Sequence, residues 1–123
     1  MQLPFEFIRV CVCISFFSLT SAIVFAGQSD PGTDFAHEIV PILQKHCVSC
    51  HGGREAKGSF SLNTRELLVD SGHVQVGRPD ASQIIDRVLA SDKEIQMPPP
   101  EKERLTTAEV SSLQRWVADG LPW

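Results

Sequence analysis

An all-α fold is what the sequence predicts, and three features predict it. Apolar residues recur at helical spacing in several separate stretches, helix-start signals precede the later ones, and alternation of the strand type is confined to Ser59-Phe60-Ser61-Leu62. The chain has 123 residues, of which 42% are hydrophobic and 21% charged. That supplies the core of one small domain and rules out a large multi-domain enzyme. A formal net charge of -4 offers no basic footprint for a phosphate backbone, so no nucleic-acid partner is expected.

The N-terminus stands apart from the rest. Val10 to Ala26 carries no charge, falls short of the ~20 residues of a spanning helix, and leaves through the small-residue exit Val24-Phe25-Ala26. Residues 1–26 therefore have the character of an export signal cleaved before Gly27, with residues 27–123 as the mature domain. The alternative is an uncleaved membrane anchor, the one route by which a membrane would be a partner. Glu6 and Arg9 leave together with Cys11 and Cys13, so the net charge stays at -4 and Cys47 and Cys50 are the cysteines that remain.

From Asp34 to His46, Phe35, Ile39, Ile42 and Leu43 form a helical stripe that Pro41 interrupts, which predicts a kink or a second helix starting near Pro41. After His51 comes a polar, glycine-rich loop, Gly52 to Gly58, where a backbone could approach a ligand closely. Ser59 to Leu62 alternates like a short strand. Asn63-Thr64-Arg65-Glu66 matches a capping box by type and opens a brief helix that ends before Gly72. Asp80 to Gln83 is a further helix start, with Ile84, Ile85, Val88 and Leu89 as the buried face. The last helix has Thr106 as N-cap, Glu109 at the capping-box position, Leu105 and Val110 as a staple, and Val110, Leu113, Trp116 and Val117 facing inward before Gly120.

Chemistry concentrates at Cys47-Val48-Ser49-Cys50-His51, the attachment pattern of c-type haem. Two thiols at this spacing reach the two vinyl groups on one porphyrin edge, and the adjoining imidazole then lies under the iron. A thioredoxin-like redox pair would need a βαβ setting, which the residues before Cys47 do not provide. A zinc site would need a fourth ligand, and His37, His46 and His73 lack finger-type spacing. A local disulfide would leave His51 without a role.

On the opposite side of the iron, Met97 is the one thioether of the mature chain, followed by Pro98-Pro99-Pro100, a stiff extended segment able to hold it against a haem face. His73, in a Ser-Gly-His turn, is the rival sixth ligand, and an open site is the third option. His46 is expected to point away from the haem and His37 to lie on a helix surface. Lys57 and Arg65 are candidates for pairing with a haem propionate, with a solvated charge as the default for each. Trp116 is read as a core or haem-wall residue. No carboxylate pair and no Ser-His-Asp set suggests catalysis.

Residues from about Phe35 to Trp123 resemble the planctomycete-type cytochrome c domain. The likeness rests on Ile42-Leu43, Cys47-x-x-Cys50-His51-Gly52, Lys57-Gly58, Leu62-Asn63-Thr64-Arg65 and Gly77-x-Pro79-x-x-Ser82-x-Ile84-Ile85. It continues through Met97-Pro98-Pro99, Leu105-Thr106-x-x-Glu109 and Trp116-Val117-x-x-Gly120-Leu121-Pro122-Trp123. Phe60, Asn63 and Val76 depart from the residues usual in that family. The resemblance implies a cytochrome c-like helical domain wrapped around one covalent haem c, with His51 and Met97 as axial ligands. Larger members continue into other domains, so it also implies either a free-standing carrier or a separated segment whose partner is encoded elsewhere.

The function expected is one-electron transfer in the periplasm or an equivalent extracytoplasmic space, with redox proteins as partners and no enzymatic turnover. The negative balance suggests basic contact surfaces on those partners. The competing function is a peroxidase-like haem enzyme or gas-sensing domain with a labile Met97. If the porphyrin completes a core of this size, the Cys47→Ala/Cys50→Ala double variant should lose native helicity and cooperative melting, which circular dichroism measures.

Overall fold

A computed structural model describes residues 32–123, so the export segment read over residues 1–26 lies outside the described residues. Five α-helices make up the domain: α1 (Val40–His46), α2 (Val48–His51), α3 (Arg65–Asp70), α4 (Gln83–Leu89) and α5 (Thr107–Ala118). A π-helical turn, Phe35–Ile39, runs into α1, and short 3-10 turns occupy Lys57–Ser59 and Pro79–Ala81. No strand occurs among the described residues.

Pro41 acts as the sequence predicts, by opening a second helix. The π-helical turn ends at Ile39, and α1 takes Pro41 in its first turn, where the missing N–H costs no hydrogen bond. Asp34 caps the π-helical turn by accepting from the His37 N–H at 3.1 Å. His37 itself is exposed, as expected.

The Ser59–Leu62 alternation does not make a strand. Ser59 lies in the left-handed region at φ 56°, which breaks the extended run, and the Leu62 N–H bonds to the His51 carbonyl at 2.8 Å. Phe60 and Leu62 still turn toward the core. The capping box at Asn63 also shifts. Thr64 is the N-cap of α3, accepting from the Leu67 N–H at 3.2 Å, because the Asn63 amide is committed to the loop after His51.

Ser82 precedes α4, yet its buried hydroxyl does not cap that helix. It donates to the Arg78 carbonyl at 2.7 Å and accepts from the Gln75 N–H at 2.9 Å, fastening the preceding turn. Ile84, Ile85 and Val88 are buried, but Leu89 is 56% exposed. Leu89 is the last residue of α4, and the chain leaves the helix at Ala90 before anything covers that face.

Helix α5 is the spine of the core, packing against the π-helical turn, α4 and the turn before α4. Leu113, Trp116 and Val117 are fully buried. Trp116 is a core residue and not part of the wall of the site described below: its indole N–H donates to the Pro122 carbonyl at 2.7 Å, and Phe35 stacks on both Trp116 and Trp123. Arg65 holds this C-terminal corner by donating to the carbonyls of Leu121 (2.9 Å) and Gly120 (3.0 Å).

Both halves of the α5 capping box form. The Thr106 hydroxyl accepts from the Glu109 N–H at 3.2 Å, and the Thr106 N–H donates to Glu109 Oε2 at 2.7 Å. That second bond, with help from the Thr106 side chain, His46 and Lys45, brings the Glu109 carboxyl down from the ordinary 4.5 to about 2. A depressed carboxyl stabilises the fold above its unfolded pKa and ceases to do so as pH falls from about 4.5 through about 2. Thr106→Ala should cost about 1 kcal/mol in urea unfolding at neutral pH. Glu109→Gln should flatten the fall in stability that urea unfolding records as pH drops from about 4.5 toward about 2.

Candidate functional site

The Cys47–His51 segment is positioned by backbone hydrogen bonds that continue the direction of α1. Cys47 leaves ideal helical geometry, yet its N–H reaches the Leu43 carbonyl at 2.9 Å and its carbonyl accepts from Cys50 (3.1 Å) and His51 (3.0 Å). Both cysteines are free thiols, Cys47 touching the core and Cys50 half-buried. Burial pushes the Cys47 thiol up to about 11, with the neighbouring Cys50 adding to the effect. At neutral pH such a thiol is protonated, which speaks against a thiolate-driven redox pair.

Gly52 is needed for a reason other than approach to a ligand. A Cβ at this position would lie 2.8 Å from the Val48 carbonyl oxygen and 2.9 Å from Val48 Cγ1, so a side chain would force the end of α2 to move. Gly53 and Gly58 have φ of 76° and 69°, which suits the loop that carries the chain around His51. Asn63 closes that loop by accepting from the Gly53 N–H at 2.8 Å and donating to the Gly53 carbonyl at 2.7 Å.

The loop brings the Lys57 carbonyl to His51 Nδ1 at 3.1 Å. A carbonyl can only accept, so Nδ1 carries the proton and Nε2 keeps its lone pair for a metal. Phe60 meets the His51 ring edge-on at 4.9 Å, which limits rotation of the imidazole.

A cavity of about 400 Å³ opens beside this segment, within the size range of cofactor sites. Cys47, Cys50, His51 and Phe60 form one side, Ile84, Arg87 and Val88 of α4 another, and Met97, Pro98 and Pro99 a third. His73 and Gln83 also line it, as do Lys57, Glu101 and Lys102. The four site residues predicted from sequence, Cys47, Cys50, His51 and Met97, thus share one cavity. Arg65 is committed to the C-terminal corner and leaves Lys57 as the cavity-lining member of the two proposed propionate partners.

Two expectations around the cavity need correction. His46 does not turn wholly away: it contributes to the cavity wall while its Nε2 pairs with Glu109 Oε1 at 3.3 Å. The proline triplet is not one extended rod, because the Lys102 N–H bonds to the Pro99 carbonyl at 2.9 Å and folds the chain into a turn. Met97 is held from the other direction, its N–H donating to the Arg87 carbonyl at 2.9 Å. His73 Nδ1 pairs with Gln83 Oε1. Among the described residues no three His, Cys, Asp or Glu side chains gather as metal-ion ligands.

Sequence reasoning missed Arg87 and Lys102. Arg87 looks like an ordinary polar position on an amphipathic helix, and Lys102, which donates to Ser49 Oγ at 3.4 Å, like a solvated charge after prolines. The signal available was their proximity in sequence to Met97.

A helical domain with a Cys-x-x-Cys-His turn facing a cavity is the architecture expected of a c-type cytochrome. Residues 47–101 match the family model described as Planctomycete cytochrome C, which supports a planctomycete-type cytochrome c domain over that segment. The match begins at Cys47 and takes in α2, α3, α4 and Met97. No curated protein and no solved structure matches the chain.

The donor set suits the family's cofactor: two thiols, an imidazole with a free Nε2 and a thioether around apolar walls. Asn63→Ala should destabilise the fold by roughly 1–2 kcal/mol through its two lost bonds to Gly53. Faster hydrogen exchange at the Gly53 amide, with α5 amides changed only by the global loss, is the check.

Proposed function

We propose that the domain is a one-electron carrier in which Cys47 and Cys50 hold a haem covalently, His51 is the proximal axial ligand and Met97 the distal one. When bound, the haem supplies an iron that gains and releases a single electron. The observation that carries this reading is the convergence of Cys47, Cys50, His51 and Met97 on one cavity.

Each residue has a distinct task. Cys47 and Cys50 supply the sulfurs for permanent attachment. His51 offers Nε2 because the Lys57 carbonyl holds the Nδ1 proton, a contact that also increases the donor strength of the ring. Met97 offers a thioether, a soft ligand that raises the potential relative to a second histidine. Phe60, Ile84, Val88 and Pro98 exclude water from the cofactor faces, which lowers the polarity around the charge that changes on reduction.

Electron transfer of this kind requires that both ligands stay in place, so no substrate turnover is assigned to the site. The domain is further proposed to act after export, with residues 1–26 removed, and to exchange electrons with other redox proteins. Cytochrome c domains are typically exported, and among the described residues no helix is long and apolar enough to cross a membrane. Lys57, Arg87, Lys102 and Glu101 line the cavity, so approach to it is governed by these local charges more than by the net charge of the chain.

Protein matured in a host competent for haem attachment should show a haemochrome spectrum and an intact mass raised by one covalent haem. A colourless product with only the mass of its polypeptide overturns the proposal. Met97→Ala should lower the potential and let the reduced protein bind carbon monoxide at neutral pH, whereas the parent resists it. Ready binding by the parent would instead favour the peroxidase-like or gas-sensing function.

A further inference from the structure

Met97 reaches the cavity at the end of a seven-residue excursion from α4, which leaves the helix at Ala90 and returns through Gln96. Within the excursion the turn is self-contained. Asp92 accepts from the N–H groups of Ile95 (3.2 Å) and Gln96 (2.8 Å), and its side chain accepts from the Glu94 N–H at 2.9 Å. Those bonds shape the turn but do not fix it to the domain.

The bonds that do so converge on Arg87. Its carbonyl accepts from the Met97 N–H at 2.9 Å, and its guanidinium Nη1 donates to the Ile95 carbonyl at 3.1 Å. One residue of α4 therefore grips the incoming segment on both sides of Gln96. Among the described residues no carboxylate pairs with this guanidinium, although Arg87 is half-buried and lines the cavity. A half-exposed guanidinium that bonds one backbone carbonyl two residues before Met97 is placed to steady the segment that carries the thioether. Arg104 secures the start of the same excursion by donating to the carbonyls of Val88 (3.0 Å) and Ala90 (2.9 Å), leaving Arg87 as the grip next to Met97.

We propose that Arg87 is a positioning residue for Met97: its clamp on Ile95 and Met97 holds the thioether at the cavity and sets how readily an outside ligand displaces it. The inference rests on the reading of Met97 as the distal ligand. Arg87 touches neither electron nor proton in this role; it lowers the freedom of the segment that carries the sulfur, so that less order remains to be gained when the sulfur binds. The backbone half of the clamp survives any substitution at position 87, and only the guanidinium half is open to test.

The experiment uses the holoprotein and imidazole as the competing ligand, read by the visible spectrum of the oxidised form. A charge-assisted hydrogen bond of this kind corresponds to roughly a tenfold change in an equilibrium constant. Arg87→Met keeps an apolar stem in place of that of arginine and removes the donors, so it should bind imidazole roughly tenfold more tightly than the parent and lose absorbance from methionine-to-iron ligation first on warming. Arg87→Gln, too short to reach Ile95, should behave the same way if Arg87→Met does not fold. Arg87→Lys keeps a charged donor and should return most of the parent affinity.

Equal imidazole affinity in the parent, Arg87→Met and Arg87→Gln overturns the role of Arg87 while leaving Met97 as ligand. Weakened retention in Arg87→Lys equal to that of Arg87→Met also overturns it, because the clamp would then not be the cause. Failure of the underlying reading has a different signature: the parent itself would lack the methionine-to-iron band and would match Met97→Ala in its imidazole affinity.

Discussion

The hydrogen bond from His51 Nδ1 to the Lys57 carbonyl is the contact on which the site depends. An imidazole has two nitrogens, and only a decision about one makes the other a dependable donor. That decision is made by backbone. The Lys57 carbonyl is placed by a loop with left-handed glycines at Gly53 and Gly58, and Asn63 ties the loop shut at Gly53. The Leu62 N–H then returns to the His51 carbonyl, so the histidine is gripped through both its ring and its main chain. Removal of any one tie leaves the others to relax, which is why a stretch with little regular secondary structure can still orient a ligand.

The second side of the cavity is built on a different principle. Met97 is on a long excursion, and its position derives from α4 and from the turn after Pro99. The residues that would face the two sides of a cofactor are therefore separated by almost the whole matched segment, and α4 is the element common to both. Its buried stripe of Ile84, Ile85 and Val88 fixes it against α5, while Ile84 and Val88 also present to the cavity. A small displacement of α4 would move the cavity wall and the segment that carries Met97 together.

Most of the framework was legible from the sequence because its determinants are local. The capping box of α5 needs only Thr106 and Glu109 at the right spacing, and the role of Pro41 follows from its missing N–H. Cys47, Cys50 and His51 form a contiguous chemical pattern in the sequence and Met97 is a lone thioether beside prolines, and all four line one cavity. The failures share a cause. Asn63 opens a capping-box pattern and Asp80 to Gln83 a helix-start pattern, yet the Asn63 amide and the Ser82 hydroxyl are used by partners at Gly53, Gln75 and Arg78 that sequence spacing does not reveal. Leu89 looked buried because periodicity continues past the point where the covering structure ends, and Ser59 defeats the strand pattern through a left-handed backbone that its residue type does not announce.

Size imposes the remaining constraint. A domain this small buries a limited core, and here part of the apolar lining belongs to a cavity of about 400 Å³. Phe60, Ile84 and Val88 would gain contact from any well-fitting group that filled it, so occupancy and folding are linked in the same direction. A reversibly bound group stabilises only in proportion to its free concentration, whereas a group attached through Cys47 and Cys50 would stay with the chain at any dilution. Cys47 sits at the junction of α1 and α2 and Cys50 on α2, next to the firmly packed Ile42–Leu43 end of the core, while the segment carrying Met97 lines the cavity from another side.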